Sequence, residues 1–234
     1  MKKTNLLFLP YAGGSSYVYR DWERKLTDKY EIKPIELNGR GYKFGMNLRN
    51  EFQDILDDIY EEFKNAALET DRYIVFGHSM GAILAYYLVN MVVKKEGKNP
   101  ELVVFSGQEP IHKIKKEYYH LQDDKTFTQH LDSLGGIPRE LKELPEVLEI
   151  FLPILRADMK ALTTREDLKK IAPINCNITV LYSEEDKSMD STYIDEWKMY
   201  TNKECFLWRF TGNHFFINDY KDDIINYLNN LNRK

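Results

Sequence analysis

Apolar and polar positions follow two rhythms along the chain, one suited to strands and one to helices. Six stretches read as strands: 5–9, 31–37, 73–76, 101–107, 177–183 and 204–210. The run 73–76 is apolar throughout, as a strand buried on both faces requires. Between strands, apolar residues recur at helical spacing. Over 17–29, Val18, Trp22 and Leu26 share one face. Over 48–68, Phe52, Ile55, Leu56, Ile59 and Phe63 form a stripe with acids opposite. Residues 82–89 carry no polar group other than two tyrosines, the pattern of a helix buried nearly all round. Further helices are expected at 191–200 and 219–231. Alternating strands and helices predict a mainly parallel sheet with helices on both faces. The loops after the strands then lie along one edge. The alternation stops from about 109 to 173. Helices are expected there near 118–134 and 144–162, separated by Gly135, Gly136 and Pro138. A helical insertion at this point reads as a lid over the functional edge, within a single domain spanning 1–234. A plain helical elaboration without gating is the alternative.

Reactive groups collect in the loops on that edge. Gly77-His78-Ser79-Met80-Gly81 joins the buried strand to the buried helix. Serine on a sharp strand-to-helix turn, with glycine on each side, is the context of a nucleophile elbow. A serine that only caps the helix is the plainer possibility, but a cap needs no paired glycines. The loop 10–16 lacks both Gly-x-Gly-x-x-Gly and Gly-Lys-Ser/Thr, so a dinucleotide or P-loop reading fails. It fits a loop that turns a backbone N–H near Ala12 toward the nucleophile, or an ordinary connection. His214 follows the last strand in a glycine-containing loop. His78, beside the serine, is expected to point away from it, and His112, His120 and His130 are expected on the surface or lid. Between Ser79 and His214, the loop 184–190 offers Glu184, Glu185, Asp186 and Asp190, and spacing does not choose among them. The order serine, acid, histidine is that of α/β-hydrolases. A histidine can deprotonate the serine, and a carboxylate fixes its tautomer. Backbone N–H groups of Met80 and Ala12 would form the oxyanion hole. Arg40, in a turn, is read as a solvated loop residue, with binding of an anionic group as the alternative.

Composition narrows the partners. The chain has 234 residues, 30% of them charged and 43% hydrophobic, with net charge −4 from interspersed acids and bases. That argues against nucleic acid, which selects a basic stripe. Cys176 and Cys205 have neither metal nor redox spacing and read as small buried apolar residues, consistent with a reducing cytoplasm. No apolar run approaches a membrane span, and the N-terminal run is shorter than a signal-peptide core.

Taken together, the motifs resemble the type II thioesterases, stand-alone α/β-hydrolases that accompany nonribosomal peptide and polyketide synthases. The resemblance rests on Leu9-Pro10-Tyr11-Ala12-Gly13-Gly14-Ser15, Gly39-Arg40-Gly41, Phe76-Gly77-His78-Ser79-Met80-Gly81-Ala82, Leu152-Pro153-Ile154-Leu155-Arg156-Ala157-Asp158 and His214-Phe215-Phe216. It implies a catalytic set of Ser79, Asp186 and His214. The family's Gly-x-x-Asp motif falls on Ser183-Glu184-Glu185-Asp186, with serine in place of glycine, and Asp190 is the alternative acid. It implies hydrolysis of acyl thioesters on the phosphopantetheine arm of acyl or peptidyl carrier domains, clearing misprimed or stalled synthases. The arm belongs to the substrate, so no cofactor or metal is expected. Tyr11 and residues 152–159 would line the acyl channel. The sequence after Asp158, Met159-Lys160-Ala161-Leu162-Thr163-Thr164-Arg165, departs from the family's acidic and aromatic run, which implies a different acyl group or partner. Asn38 and Asn213 are smaller departures. A carboxylesterase or lipase, an acyltransferase, and a catalytically inactive binding protein are the competing readings.

Overall fold

The computed structural model describes residues 3–137 and 145–231. Pro138 and Leu144, assigned above to the helical insertion, lie outside them. Six strands form one parallel sheet: β1 (Thr4–Leu9), β2 (Tyr30–Pro34), β3 (Tyr73–His78), β4 (Leu102–Ser106), β5 (Asn177–Ser183) and β6 (Cys205–Phe210), in the order β2-β1-β3-β4-β5-β6. The chain runs outward from β1 to β2 and then returns to β3 on the other side of β1. That reversal opens a crevice at the carboxyl ends of β1 and β3, where such sheets bind ligands.

The period of two along each strand sends side chains to opposite faces. Leu7, Leu9, Val75, Val103 and Val180 join one core with α1 (Phe52–Leu68) and α2 (Met80–Glu96). Leu6, Phe8, Ile74, Phe76 and Val104 join the other, with Tyr19, Trp22 and the later helix residues Ile224 and Leu228. The chain is thus a mainly parallel sheet covered by helices on both faces. No helix among the described residues is long and apolar enough to cross a membrane.

Several boundaries differ from the sequence reading, each for a tertiary reason. Over 17–29 the chain forms only a 3-10 turn at Ser16–Tyr19 and a short helix at Arg20–Glu23. Its continuation is tied to the C-terminus instead: Asn229 accepts from the Thr27 N–H, and Lys29 reaches the carbonyls of Asn229 and Leu231. Trp22 and Leu26 are buried nonetheless. Helix α1 starts at Phe52 rather than 48, because its first amide is capped by the Thr164 hydroxyl, 2.8 Å away and 112 residues distant in sequence. All five predicted stripe residues are buried. Residues Ser191–Tyr200 are helical but of 3-10 type. The closing helix divides into a short turn at Phe216–Asp219 and a main segment, Lys221–Asn230.

Between β4 and β5 lie α3 (Asp124–Ser133) and α4 (Pro145–Thr164). Phe127, Leu131, Ile137, Leu152 and Leu155 form a small core of their own. Leu131, Leu155 and Met159 of this segment line the same cavity as Ser79.

Candidate active site

Ser79 occupies the turn between β3 and α2 with φ +54° and ψ −121°. It is the one non-glycine residue with positive φ among those described. A β-carbon costs energy there, and such strain persists only where the surroundings over-determine it. The flanking glycines show the constraint. A Cβ on Gly77 would lie 2.2 Å from the Gly81 carbonyl oxygen, and one on Gly81 would lie 2.3 Å from the Leu9 carbonyl oxygen. The turn can therefore close only with hydrogen at both positions. The Ser79 side chain makes no helix-capping bond. As the first residue of α2, Met80 has an N–H without an acceptor inside the helix.

Ser79, Ala12 and His214 line one cavity of about 470 Å³. His214 Nδ1 is 2.7 Å from Asp186 Oδ2, and both residues are buried. Asp190 does not take that place. Its carboxylate accepts from the N–H and hydroxyl of Thr192 and caps the following 3-10 helix. Ser183, standing where glycine is usual in the resembled family, donates its hydroxyl to the Gly212 carbonyl at 2.6 Å and accepts from the Glu185 N–H. This pins the acid loop to the histidine loop. For the Asp186 carboxyl, burial is the largest single influence and pushes its pKa up. The hydrogen bond and charge of His214, with two bonds from Ser188, together outweigh it and hold the carboxyl below its ordinary range.

Ser188 is a site residue that the sequence reading omits. Its N–H and hydroxyl both donate to Asp186 Oδ1, at 2.9 and 2.6 Å, and its oxygen lies 2.8 Å from His214 Nδ1. The bond from Asp186 to the amide two residues later is an Asx-turn, and the pattern Asp-x-Ser was its signal.

Arg40 is not solvated. It is 5% exposed, and its guanidinium grips Asp158 through two bonds of 2.5 and 2.7 Å. Asp158 is fully buried and also accepts from the Gly13 N–H at 2.7 Å. One carboxylate of α4 therefore fixes both the turn after β2 and the loop that carries Ala12. A bidentate carboxylate for Arg40 was absent from the local sequence; its partner lies 118 residues on.

The surroundings of His78 are set by tertiary packing. It is fully buried, bonds the Ser106 hydroxyl through Nδ1 at 3.0 Å, and places its ring 4.9 Å from that of His214. Burial, and then the neighbouring His214, hold its pKa well below the usual imidazole value. His130 stacks on Tyr119 and lines the cavity rather than facing only solvent. His112 bonds the Tyr200 hydroxyl and Glu196. Tyr11, Leu155 and Met159 line the cavity; Leu152 instead packs in the small core of the insertion. Cys176 is buried and Cys205 partly so, and both are free thiols. Among the described residues, no group of three or more His, Cys, Asp or Glu side chains could hold a metal ion.

A family model described as "Thioesterase domain" matches residues 4–231. The gramicidin S biosynthesis protein GrsT of Aneurinibacillus migulanus is 29% identical over 227 residues, covering 97% of this chain and 88% of the relative. The probable anguibactin biosynthesis thioesterase AngT of Vibrio anguillarum is 29% identical over 222 residues, covering 92% of this chain and 86% of the relative. Among solved structures, ClbQ from the colibactin NRPS/PKS pathway superposes with a TM-score of 0.90 at 27% identity, covering 97% of this chain and 96% of that one.

Proposed function

The chain belongs to the thioesterase domain family and is a thioester hydrolase, and from that premise we propose that it removes acyl groups from the phosphopantetheine arm of carrier domains in a modular synthase. The observation that carries this reading is the His214–Asp186 hydrogen bond at the wall of a cavity that Ser79 also lines. The likeness to ClbQ of the colibactin NRPS/PKS pathway, and to relatives named for gramicidin S and anguibactin biosynthesis, supports the choice of partner.

In the proposed mechanism, His214 takes the proton of the Ser79 hydroxyl as the oxygen attacks the thioester carbonyl. Asp186 holds the imidazole in the tautomer with hydrogen on Nδ1 and stabilises the imidazolium that forms. The N–H groups of Met80 and Ala12 receive the oxyanion, an effect of about 3 kcal/mol per donor. The tetrahedral intermediate collapses by breaking the C–S bond, and His214 returns the proton to the departing thiolate. Water then attacks the acyl-serine by the same proton transfers, releasing the acid and restoring Ser79. Phosphopantetheine enters as part of the substrate, and the scheme assigns the protein no metal or cofactor. The helical insertion would act as a lid that shields the acyl-enzyme from bulk water.

The test is a steady-state comparison of acyl-carrier and acyl-CoA thioesters with nitrophenyl esters of the same acids. The thioesters should give much the higher kcat/KM, and Ser79→Ala should abolish turnover of both. A preference for the free esters would favour a carboxylesterase, and unchanged hydrolysis in Ser79→Ala would remove the assigned nucleophile.

A further inference from the structure

Arg165 follows directly after the last residue of α4 and is 2% exposed. Buried charges are ordinarily paired and hydrogen-bonded. Arg165 is not. Its Nε and Nη1 have no hydrogen-bond partner among the described residues, and Nη2 makes a single long contact, 3.4 Å, to the Ile114 carbonyl. The residue also lines the cavity that contains Ser79. A guanidinium presents five donors in a planar fork shaped for a carboxylate. Here the fork is desolvated and largely unused, on a residue that lines the chamber holding Ser79.

Its position along the chamber wall is informative. Leu155, Met159, Leu162 and Arg165 all line the cavity. Leu155 is close to the loop of Ala12, since a Cβ on Gly13 would lie 2.9 Å from it. Ten residues of helical rise separate Leu155 from Arg165, roughly 15 Å. Ile83, Ile114, Met159 and Leu162 supply apolar lining to the same chamber, and charged side chains from 109–117 and 187–190 share its wall. The chamber thus joins the proposed oxyanion loop, a set of apolar side chains and a buried cation. Arg165 also sits at the C-terminal end of α4, where the helix dipole favours positive charge.

We propose that Arg165 is the terminal subsite of the acyl chamber and that the enzyme favours acyl groups bearing a carboxylate at the end remote from the thioester. This rests on the thioesterase reading and adds the chemical class of its acyl group. The aliphatic middle of such a group matches the apolar lining, and the terminal carboxylate completes the guanidinium fork. Lys115 and Lys187, also on the wall, add positive charge, while Glu109 accepts from the Asp190 N–H.

The experiment uses two chain-length series of CoA thioesters: ω-carboxyacyl (succinyl to suberyl) and unbranched neutral acyl groups of matched length. Wild-type kcat/KM should favour the acid over its neutral counterpart by about tenfold or more at some length. Arg165→Met should lose about 10- to 100-fold on the acid series, the range for a lost charge-assisted bond, and little or nothing on the neutral series. Arg165→Lys should keep part of the preference. A neutral preference at every length, or a parallel loss on both series in Arg165→Met, would overturn the proposal. If Arg165→Met does not fold, the wild-type ratios and Arg165→Lys decide. Calorimetric binding of free glutarate to Ser79→Ala separates the two claims. Glutarate binding that weakens on adding Arg165→Lys and disappears on adding Arg165→Met supports the subsite even if no thioester is turned over, an outcome that would count only against the thioesterase reading. No glutarate binding, alongside normal turnover of neutral thioesters, would overturn the subsite alone.

Discussion

The Ser188 hydroxyl oxygen lies 2.8 Å from His214 Nδ1 while its hydrogen is committed to Asp186. Ser188 thus braces the carboxylate that orients the histidine, without lining up on the reacting atoms itself. Ser188→Ala removes one or two neutral-to-charged contacts of about 1 kcal/mol each. We expect kcat to fall about 5- to 30-fold with KM nearly unchanged. Ser188→Thr, which keeps the hydroxyl, should recover most of the rate. An equal loss in both variants would point to packing instead.

Arg40 and Asp158 form a buried pair, so removing one partner should be worse than removing both. Arg40→Met leaves an uncompensated buried carboxylate and should lower unfolding free energy by about 3–5 kcal/mol. Adding Asp158→Asn should restore part of that stability. Urea unfolding of the two single variants and the double variant measures the coupling, and simple additivity would mean that the pair contributes nothing as a pair.

Strain at Ser79 predicts that function and stability oppose each other there. Ser79→Gly relieves a left-handed residue worth about 1–3 kcal/mol. The added freedom of the unfolded chain offsets about 0.5–1 kcal/mol of that. Ser79→Gly should therefore melt higher than wild type by a few degrees, about 2–4 °C per kcal/mol for a chain of this size. Ser79→Ala keeps the strain and should not melt higher by this route. Both should be inactive.

Two groups beside Ser79 contribute to the acid sensitivity. Asp186 has a lowered pKa in the fold, so its contribution is full above the unfolded carboxyl value, about 4, and is lost as pH falls through the folded value. His78 is also lowered, by burial and then by His214. Below about pH 6.5 the unfolded chain takes up a proton at this position that the folded chain refuses. Each pH unit in that window costs about 1.4 kcal/mol per group. Unfolding free energies measured from pH 7.5 down to 5 should decline in wild type and decline less steeply in His78→Asn, where His120 and His130, both lowered chiefly by burial, keep part of the slope. Asp186→Asn should alter the slope only near pH 4 and below. A His78→Asn slope identical to wild type would show that His78 does not hold its neutral form in the fold.

What the sequence revealed and what it concealed divide along a physical line. Periods of two and 3.6 exposed all six strands and the α1 stripe, because local geometry repeats in the chain. The strained turn at Ser79 was legible because Gly77 and Gly81 answer a local steric demand. Helix ends were not, since the cap of α1 comes from Thr164 and the 17–29 segment is tied to Asn229. The same holds in the site. Asp186 among four acids, the brace from Ser188, and the burial of Arg40 all depend on which loops the sheet order brings together. His78 was visible as a residue, yet its ring contact with His214 joins positions 78 and 214 across β3 and β6 loops.

Asp158 ties together chain segments 118 and 145 residues apart. Closing loops of that size is entropically slow, and contacts of high sequence separation form late. The sheet can pair before Asp158 arrives, but the Gly13 amide is oriented only afterwards. On refolding, recovery of hydrolysis should therefore lag behind recovery of secondary structure. Enzyme activity would then time the docking of the helical insertion, and a conventional circular dichroism signal would time the rest.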